Sequence, residues 1–314
     1  MPRLSREAAI ALALIAACAL FMLTSPYFAT AGNLLAVGRR CVDLALIALG
    51  EMLVLAAGGI DVSAGVAMGV ASIAVGKPLQ AGAPAALAAL AGPVVGIALG
   101  GVAALAIVGG QMPPIVATLG LWGVWRAALY LLLGGQWLSG LPRALDPLLQ
   151  GVMFGIPPVL LGIAALYCIV WLVLRRTPAG PRLLAVGGGE DAARRAGINV
   201  VRTKALVYVA AGALNGIAAT IYVAQYRNVE MTTGGTLALD AIVAAVLGGC
   251  SVSGGEASVL GTALGVVLLR VLQNGMVLLG LPSLWTGVVE GTLLVLVLAI
   301  ESLAALRRAG WRTA

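Results

Sequence analysis

Apolar runs of about twenty residues follow one another along this chain from Ala8 to Ile300, and the breaks between them are too short to house a soluble domain. A helix needs about 20 apolar residues to cross the hydrocarbon of a bilayer. Only 10% of the 314 residues are charged and 61% are hydrophobic, whereas soluble domains carry about 25% charge. A water-soluble fold of this length needs more polar surface than these residues supply. That excludes a soluble enzyme, a disordered chain and a nucleic-acid binder. The expected fold is all-α and polytopic, one transmembrane domain over residues 1–314 in contact with membrane lipid.

Reading apolar runs against charges and Pro/Gly breaks predicts ten spans, near 7–25, 36–57, 63–80, 84–108, 115–133, 157–174, 205–225, 238–250, 256–272 and 284–301. An even count puts both termini on one side. Basic residues gather at Arg3 and Arg6, at seven positions from Arg175 to Lys204, and at Arg307, Arg308 and Arg312. Short basic loops stay in the cytoplasm, so both termini and the 175–204 loop are expected there, with Gly134 to Gly155 outside. With 17 Arg against two Lys, this basicity reads as a mark of GC-rich coding rather than of a lipid-binding cluster. The first helix is expected to remain uncleaved, because its apolar run is longer than the core of a signal peptide. The pieces flanking Gly58 and Gly248 are candidates for re-entrant segments, since broken backbone at membrane depth is tolerated inside protein.

Glycine, 43 of 314 residues, recurs four apart at Gly65/Gly69, Gly92/Gly96, Gly96/Gly100, Gly212/Gly216, Gly261/Gly265 and Gly287/Gly291. This spacing places small residues on one helix face and predicts close helix packing. An internal repeat is also expected. The stretch Gly58 to Gly65 (GGIDVSAG) matches Gly248 to Gly255 (GGCSVSGG) at five of eight positions.

The chemistry is sparse. Cys18, Cys41, Cys168 and Cys250 show no metal-ligand spacing and read as packing residues. Histidine is absent, which removes the commonest metal ligand and proton shuttle. No metal and no cofactor is expected. The pair Gly76-Lys77 runs into Pro78 and lacks the upstream glycine of a phosphate-binding loop, so the chain has no ATPase site of that kind and is not expected to be an enzyme. Active transport through it then needs either ions or an ATP-hydrolysing partner. The acids Asp43, Glu51, Asp61, Asp240, Glu256 and Glu290 are the ion-coupling candidates. Glu51 and Glu290 are the two placed well within predicted helices, and an ion-coupled secondary transporter would rest on them.

The partner alternative rests on the polar 175–204 loop. There the glycine run Gly187-Gly188-Gly189 should break any preceding helix, and Glu190 and Asp191 suit a first helical turn. Gly197 can end the helix two turns later. Ala192, Ala193 and Ala196 would make a small smooth side, and Glu190, Asp191, Arg194 and Arg195 a charged one, as a peg seated in a groove requires.

These residues, the Gly58 to Gly65 stretch and the run Leu239 to Gly249 (LDAIVAAVLGG) resemble the membrane permeases of bacterial ATP-binding-cassette importers for ribose and related sugars. Within that family, Pro114 to Gly120 (PIVATLG) and Gly134 to Pro142 (GGQWLSGLP) are most similar to the autoinducer-2 import type, with rhamnose permeases alike in the same region. The resemblance implies that Glu190 to Gly197 is the coupling helix for a cytoplasmic ATP-binding subunit. It also implies a periplasmic binding protein that delivers the solute and a second permease chain, identical or related, that completes the pathway. Glu51, Asp61, Ser63, Thr118, Asn215, Gln225, Asp240, Asn274 and Glu290 are the residues expected along that pathway.

Overall fold

In a computed structural model the described residues are 6–150, 156–282 and scattered positions between 285 and 299. They form a helical bundle in which an isolated β-bridge joins Leu138 and Val229. In chain order the helices are α1 (Arg6–Thr24), α2 (Ala31–Ala56), α3 (Ala64–Gln80), α4 (Ala85–Ala104, prolonged by a π turn Leu105–Gly109) and α5 (Pro114–Leu133). The short α6 (Pro147–Gln150) precedes α7 (Pro158–Arg176), α8 (Ala179–Gly188) and α9 (Glu190–Arg195). Then come α10 (Val200–Tyr226), α11 (Leu237–Leu247) and α12 (Val259–Leu278). Proline sets several starts. α5 and α7 each open on proline at the first helical position, where the missing N–H costs nothing. Side-chain oxygens of Asn199 and Ser258 cap α10 and α12, each accepting a backbone N–H at 2.9 Å.

Six of these helices are long and apolar enough to cross a membrane: those starting at Glu7, Ala85, Pro114, Pro158, Val200 and Val259. The structure thus gives a polytopic all-α protein, and three of the ten expected spans fall short of that description for physical reasons. Helix α2 carries Arg39, Arg40, Asp43 and Glu51, and it survives in the interior because the bundle surrounds it; every residue from Val42 to Ala56 is buried. Helix α3 has 17 residues and α11 only 11. The tenth span, 284–301, lies largely outside the described residues, as do both termini.

Helix α11, beside Gly248 where a re-entrant segment is a candidate, is an apolar helix of 11 residues, shorter than a crossing helix. Val229 pairs with Leu138 through N–H to O bonds of 2.8 and 3.0 Å, and the Leu138 side chain packs on Gly76 of α3. Five residues later the Thr233 and Gly234 carbonyls lie against Gly69 and Gly65 of the same helix. Between Val229 and Gly234 the chain runs along α3 from the level of Gly76 toward that of Gly65. Helix α11 then starts beside Gly65, against which the Ala238 nitrogen lies.

The core is a glycine seam between α4 and α10. Gly96 lies against the Gly212 carbonyl, Gly92 against Gly216, and Gly100 against Gly212 and the Tyr208 carbonyl. Backbones this close leave no room for a side chain, which is how helices attract where lipid offers no hydrophobic gain. Thr220 strengthens the seam by donating its hydroxyl to the Ala89 carbonyl at 3.0 Å. The other glycine pairs find different partners: Gly261/Gly265 pack on Gly248 and Ala244 of α11, and Gly65/Gly69 on the segment before α11. Gly287/Gly291 meet nothing among the described residues. We predict that Gly96→Ala costs about 1–3 kcal/mol through overpacking, read as a lower Tm of the detergent-purified protein. Gly101→Ala, one residue along the solvent side of the seam with nothing within 4 Å, should leave Tm unchanged.

Candidate functional site

At one end of the bundle the polar 177–199 loop folds back onto the helices. The expected break before Glu190 is narrower than the glycine run suggests, because Gly187 and Gly188 belong to α8 and the chain turns only at Gly189. Of the two, Gly187 is the one that space requires. A methyl group on Gly187 would overlap the Ala56 carbonyl oxygen and approach the Gly255 nitrogen to 2.6 Å. Gly254 would meet Gly58 Cα at 2.8 Å, and the Gly255 N–H donates to the Ala56 carbonyl at 3.1 Å. So the ends of α2 and α11, which carry the two repeat stretches, meet at α8. Both turns use left-handed glycines, Gly58 at φ +77° and Gly254 and Gly255 at +85° and +78°, which side chains resist. The left-handed position does not align between them: Gly58 corresponds to Gly248, which has ordinary helical φ.

Helix α9 stands on this junction. Ala193 is 3% exposed and packs on Val186 and Val200, so it anchors the helix and is not part of an outer smooth face. Ala192, Ala196, Asp191, Arg194, Arg195 and Gly197 are exposed. Glu190 is clasped by Lys204 of α10 and by Arg194 at 3.6 Å. A cleft of about 520 Å³ separates this ion cluster from the turn Gln111 to Pro114.

Directly behind the Gly58 turn lies a buried polar cluster. Glu51 accepts the Asp61 N–H at 3.0 Å. Asp61 in turn accepts the Ser63 N–H at 2.9 Å and its hydroxyl at 2.6 Å. Thr118 of α5 donates to the Ile60 carbonyl at 3.1 Å. Glu51, Asp61, Ser63 and Thr118 are each no more than 6% exposed, and the hydroxyl of Tyr208, pressed on Gly59, has no partner. Here the carboxylates do the work that water does at a soluble helix end, satisfying the N–H groups ahead of α3.

The remaining pathway candidates lie apart. Asn274 of α12 pairs with Asn33 of α2 through two bonds of 2.9 and 3.0 Å. Asn215 is buried in α10, and its side-chain oxygen has no partner; the same holds for the Gln225 oxygen. Asp240 is buried in the first turn of α11. Glu290 lies outside the described residues. Two features escaped the sequence reading. Asp43 is not near a helix end: Thr30 extends α2 five residues beyond the expected start, which makes Asp43 an interior residue. It pairs at 3.3 Å with Arg270 of α12, whose other nitrogen donates to Gln273 at 2.6 Å. A lone arginine within the apolar run 256–272 was the available signal. Among the described residues no group of His, Cys, Asp and Glu could hold a metal.

Residues 33–298 match the family described as branched-chain amino acid transport system / permease component. The chain belongs to that permease family. It is 35% identical over 300 residues to the autoinducer 2 import system permease protein LsrC of Enterobacter sp. (strain 638), covering 95% of this chain and 87% of the relative. It is 33% identical over 279 residues to the ribose import permease protein RbsC of Bacillus subtilis, covering 88% and 87%. With LsrD of Photorhabdus laumondii, another autoinducer 2 import permease, identity is 31% over 95% of this chain and 91% of the relative. No solved structure matches the chain. The permease is accordingly a multi-pass protein of the bacterial inner membrane and a transport component.

For this permease the geometry predicts a sharp contrast between neighbouring glycines. Gly187→Ala, which forces α8 off the Ala56 carbonyl, should lower Tm and abolish uptake in cells. Gly188→Ala, with nothing within 4 Å, should do neither.

Proposed function

We propose that the permease is the membrane subunit of an ATP-binding-cassette importer that moves a small sugar or sugar-like solute, of the autoinducer-2, ribose or rhamnose class, across the inner membrane. The solute class follows the relatives that match nearly the whole chain. The observation that carries the mechanism is the contact of Gly187 with Ala56 and Gly255. It joins the exposed loop helix α9 through α8 to the turn that holds Asp61 and Ser63, with no flexible side chain between them. A partner that grips α9 and moves it therefore moves the Gly58 turn and the polar cluster together.

In this reading Glu190, Asp191, Ala192, Arg194, Arg195 and Gly197 meet the cytoplasmic ATP-binding subunit, and Ala193 holds the helix to the permease from beneath. Energy comes from that subunit, with no ATPase site in the permease and no cofactor. A periplasmic binding protein supplies the solute at the end formed by Leu138 and Val229, and a second permease chain, identical or related, completes the pathway. The 175–204 loop and both termini are cytoplasmic, in keeping with their basic residues. Asp61, Ser63, Thr118, Asp240, Asn215 and Asn274 are the polar groups offered to the passing hydroxyls, with Glu51 fixing the turn. The comparisons give the ion-coupled alternative no support. Glu51, on which it would rest, is engaged with the Asp61 backbone.

Reversing charge at Arg194 and Arg195 tests the docking surface. Both side chains are on the surface, Arg194 at 62% exposure, so folding should change by no more than about 1 kcal/mol. Arg194→Glu with Arg195→Glu should leave membrane insertion and Tm intact while the ATP-binding subunit no longer copurifies and uptake is lost. Normal uptake by the double variant would refute the assignment of α9.

A further inference from the structure

A cleft of about 640 Å³ opens between the end of α7, one side of α8 and the first three turns of α10, with Ala196, Gly197 and Ile198 at the end of α9 forming its rim beside the docking face. Its volume is that of a small-molecule site. Three properties define what it fits.

The first is shape. Asn199, Arg202, Thr203, Leu206, Val207 and Ala210 line it from α10, a spacing of three and four that makes a single stripe along one helix face. Asn199 to Ala210 is eleven residues, so the cleft runs about 16 Å along the helix axis. It is a furrow parallel to two membrane-crossing helices, floored at depth by Leu53 of α2.

The second is polarity. Toward the bilayer the lining is apolar, and Leu206 and Val173 on its rims are 58% and 41% exposed. At the loop end it carries Arg182 and Arg202, both exposed, and no carboxylate lines it anywhere. Among the described residues neither arginine forms an ion pair; of the two nearby acids, Glu190 is held by Lys204 and Arg194 and Asp191 does not line the cleft.

The third is position. Arg175 lies over the Trp171 ring at 5.3 Å at the end of α7, an aromatic and basic pairing of the kind that marks the headgroup layer. The arginines of the cleft therefore sit where lipid phosphates do, and its apolar length sits where acyl chains do.

We propose that this furrow binds an anionic phospholipid, with the phosphate between Arg182 and Arg202 and one acyl chain laid along Leu206 and Ala210 toward Leu53. A docking loop of a cytoplasmic protein fits the arginines but not the furrow, which continues three turns below them between helices that cross the membrane. The overall excess of arginine is uninformative here. Two unpaired arginines at the mouth of an apolar furrow are the specific signal. The bound lipid braces α8 against α10, and so bears on the same junction at Gly187. The proposal is independent of which solute the permease carries.

The test is native mass spectrometry of the full-length permease, released from nanodiscs of phosphatidylglycerol mixed with phosphatidylcholine. The expected result is preferential retention of phosphatidylglycerol by the wild type. Arg182→Ala with Arg202→Ala, at exposed positions that leave Tm unchanged, should weaken retention about thirtyfold, as two lost attractions to an anionic headgroup require. Ala210→Phe, which fills the furrow and leaves both charges in place, should also lose the lipid; if that variant unfolds, the arginine pair still decides. Equal retention of the two lipids, or undiminished phosphatidylglycerol on the double variant, overturns the proposal. So does complete displacement of the lipid by the ATP-binding subunit together with cross-linking of Leu206→Cys to that subunit, which would make a protein the occupant.

Discussion

Three segments of backbone meet at Gly187, and the rest of the site depends on that contact. The end of α2, the turn after α11 and the C-terminal turn of α8 approach so closely that the Ala56 carbonyl accepts from the Gly255 N–H while Gly187 fills the angle beside it. Side chains at flexible contacts absorb displacement by changing rotamer, but backbone on backbone does not. The junction therefore passes motion of the polar loop to the turn Gly58 to Ser63, and it ties the two glycine-rich stretches, Gly58 to Gly65 and Gly248 to Gly255, to one lever. Glycine is required there twice over, for space at Gly187 and for left-handed backbone at Gly58, Gly254 and Gly255.

Behind that turn the lipid environment dictates the chemistry. Broken backbone inside a bilayer must find partners within the protein, and Glu51, Asp61, Ser63 and Thr118 supply them around the start of α3. The same constraint explains the cross-ties elsewhere. Asp43 is compensated by Arg270, Asn33 by Asn274, and the Tyr167 hydroxyl by the Ala45 carbonyl at 2.7 Å. Each tie ends on α2, which lets a helix with four charges remain at the centre. Such groups are costly to bury unpaired, so they hold α7 and α12 in fixed register on α2. Helix α11 and the segment before it pack on Gly65 and Gly69 of α3 through backbone.

Much of this was legible in the residues. Apolar run length located α1, α4, α5, α7, α10 and α12 to within a few residues, because length and hydropathy alone define a crossing helix. The spacing of Gly92, Gly96 and Gly212 announced the close packing found in the α4 to α10 seam. The run Glu190 to Arg195 announced a helix. What stayed hidden was tertiary. The 36–57 run was legible as a helix, but the partners that hold α2 inside, Arg270 and Asn274, lie more than two hundred residues away. The burial of Ala193 could not be read from its neighbours, since helix α8, unexpected across Gly187 and Gly188, covers it. Tyr208 entered the cluster only when α10 was packed on Gly59.

The central claim is that α9 is the face by which an ATP-hydrolysing partner drives the junction at Gly187. Site-specific cysteine cross-linking between permease and copurified ATP-binding subunit, in a background lacking the four native cysteines, tests it most directly. The account predicts efficient cross-links from Ala192→Cys and Ala196→Cys, and none from Ala193→Cys, which is buried, or from Thr232→Cys in the segment before α11. A transporting complex that cross-links from Thr232→Cys but from neither exposed α9 position would contradict it.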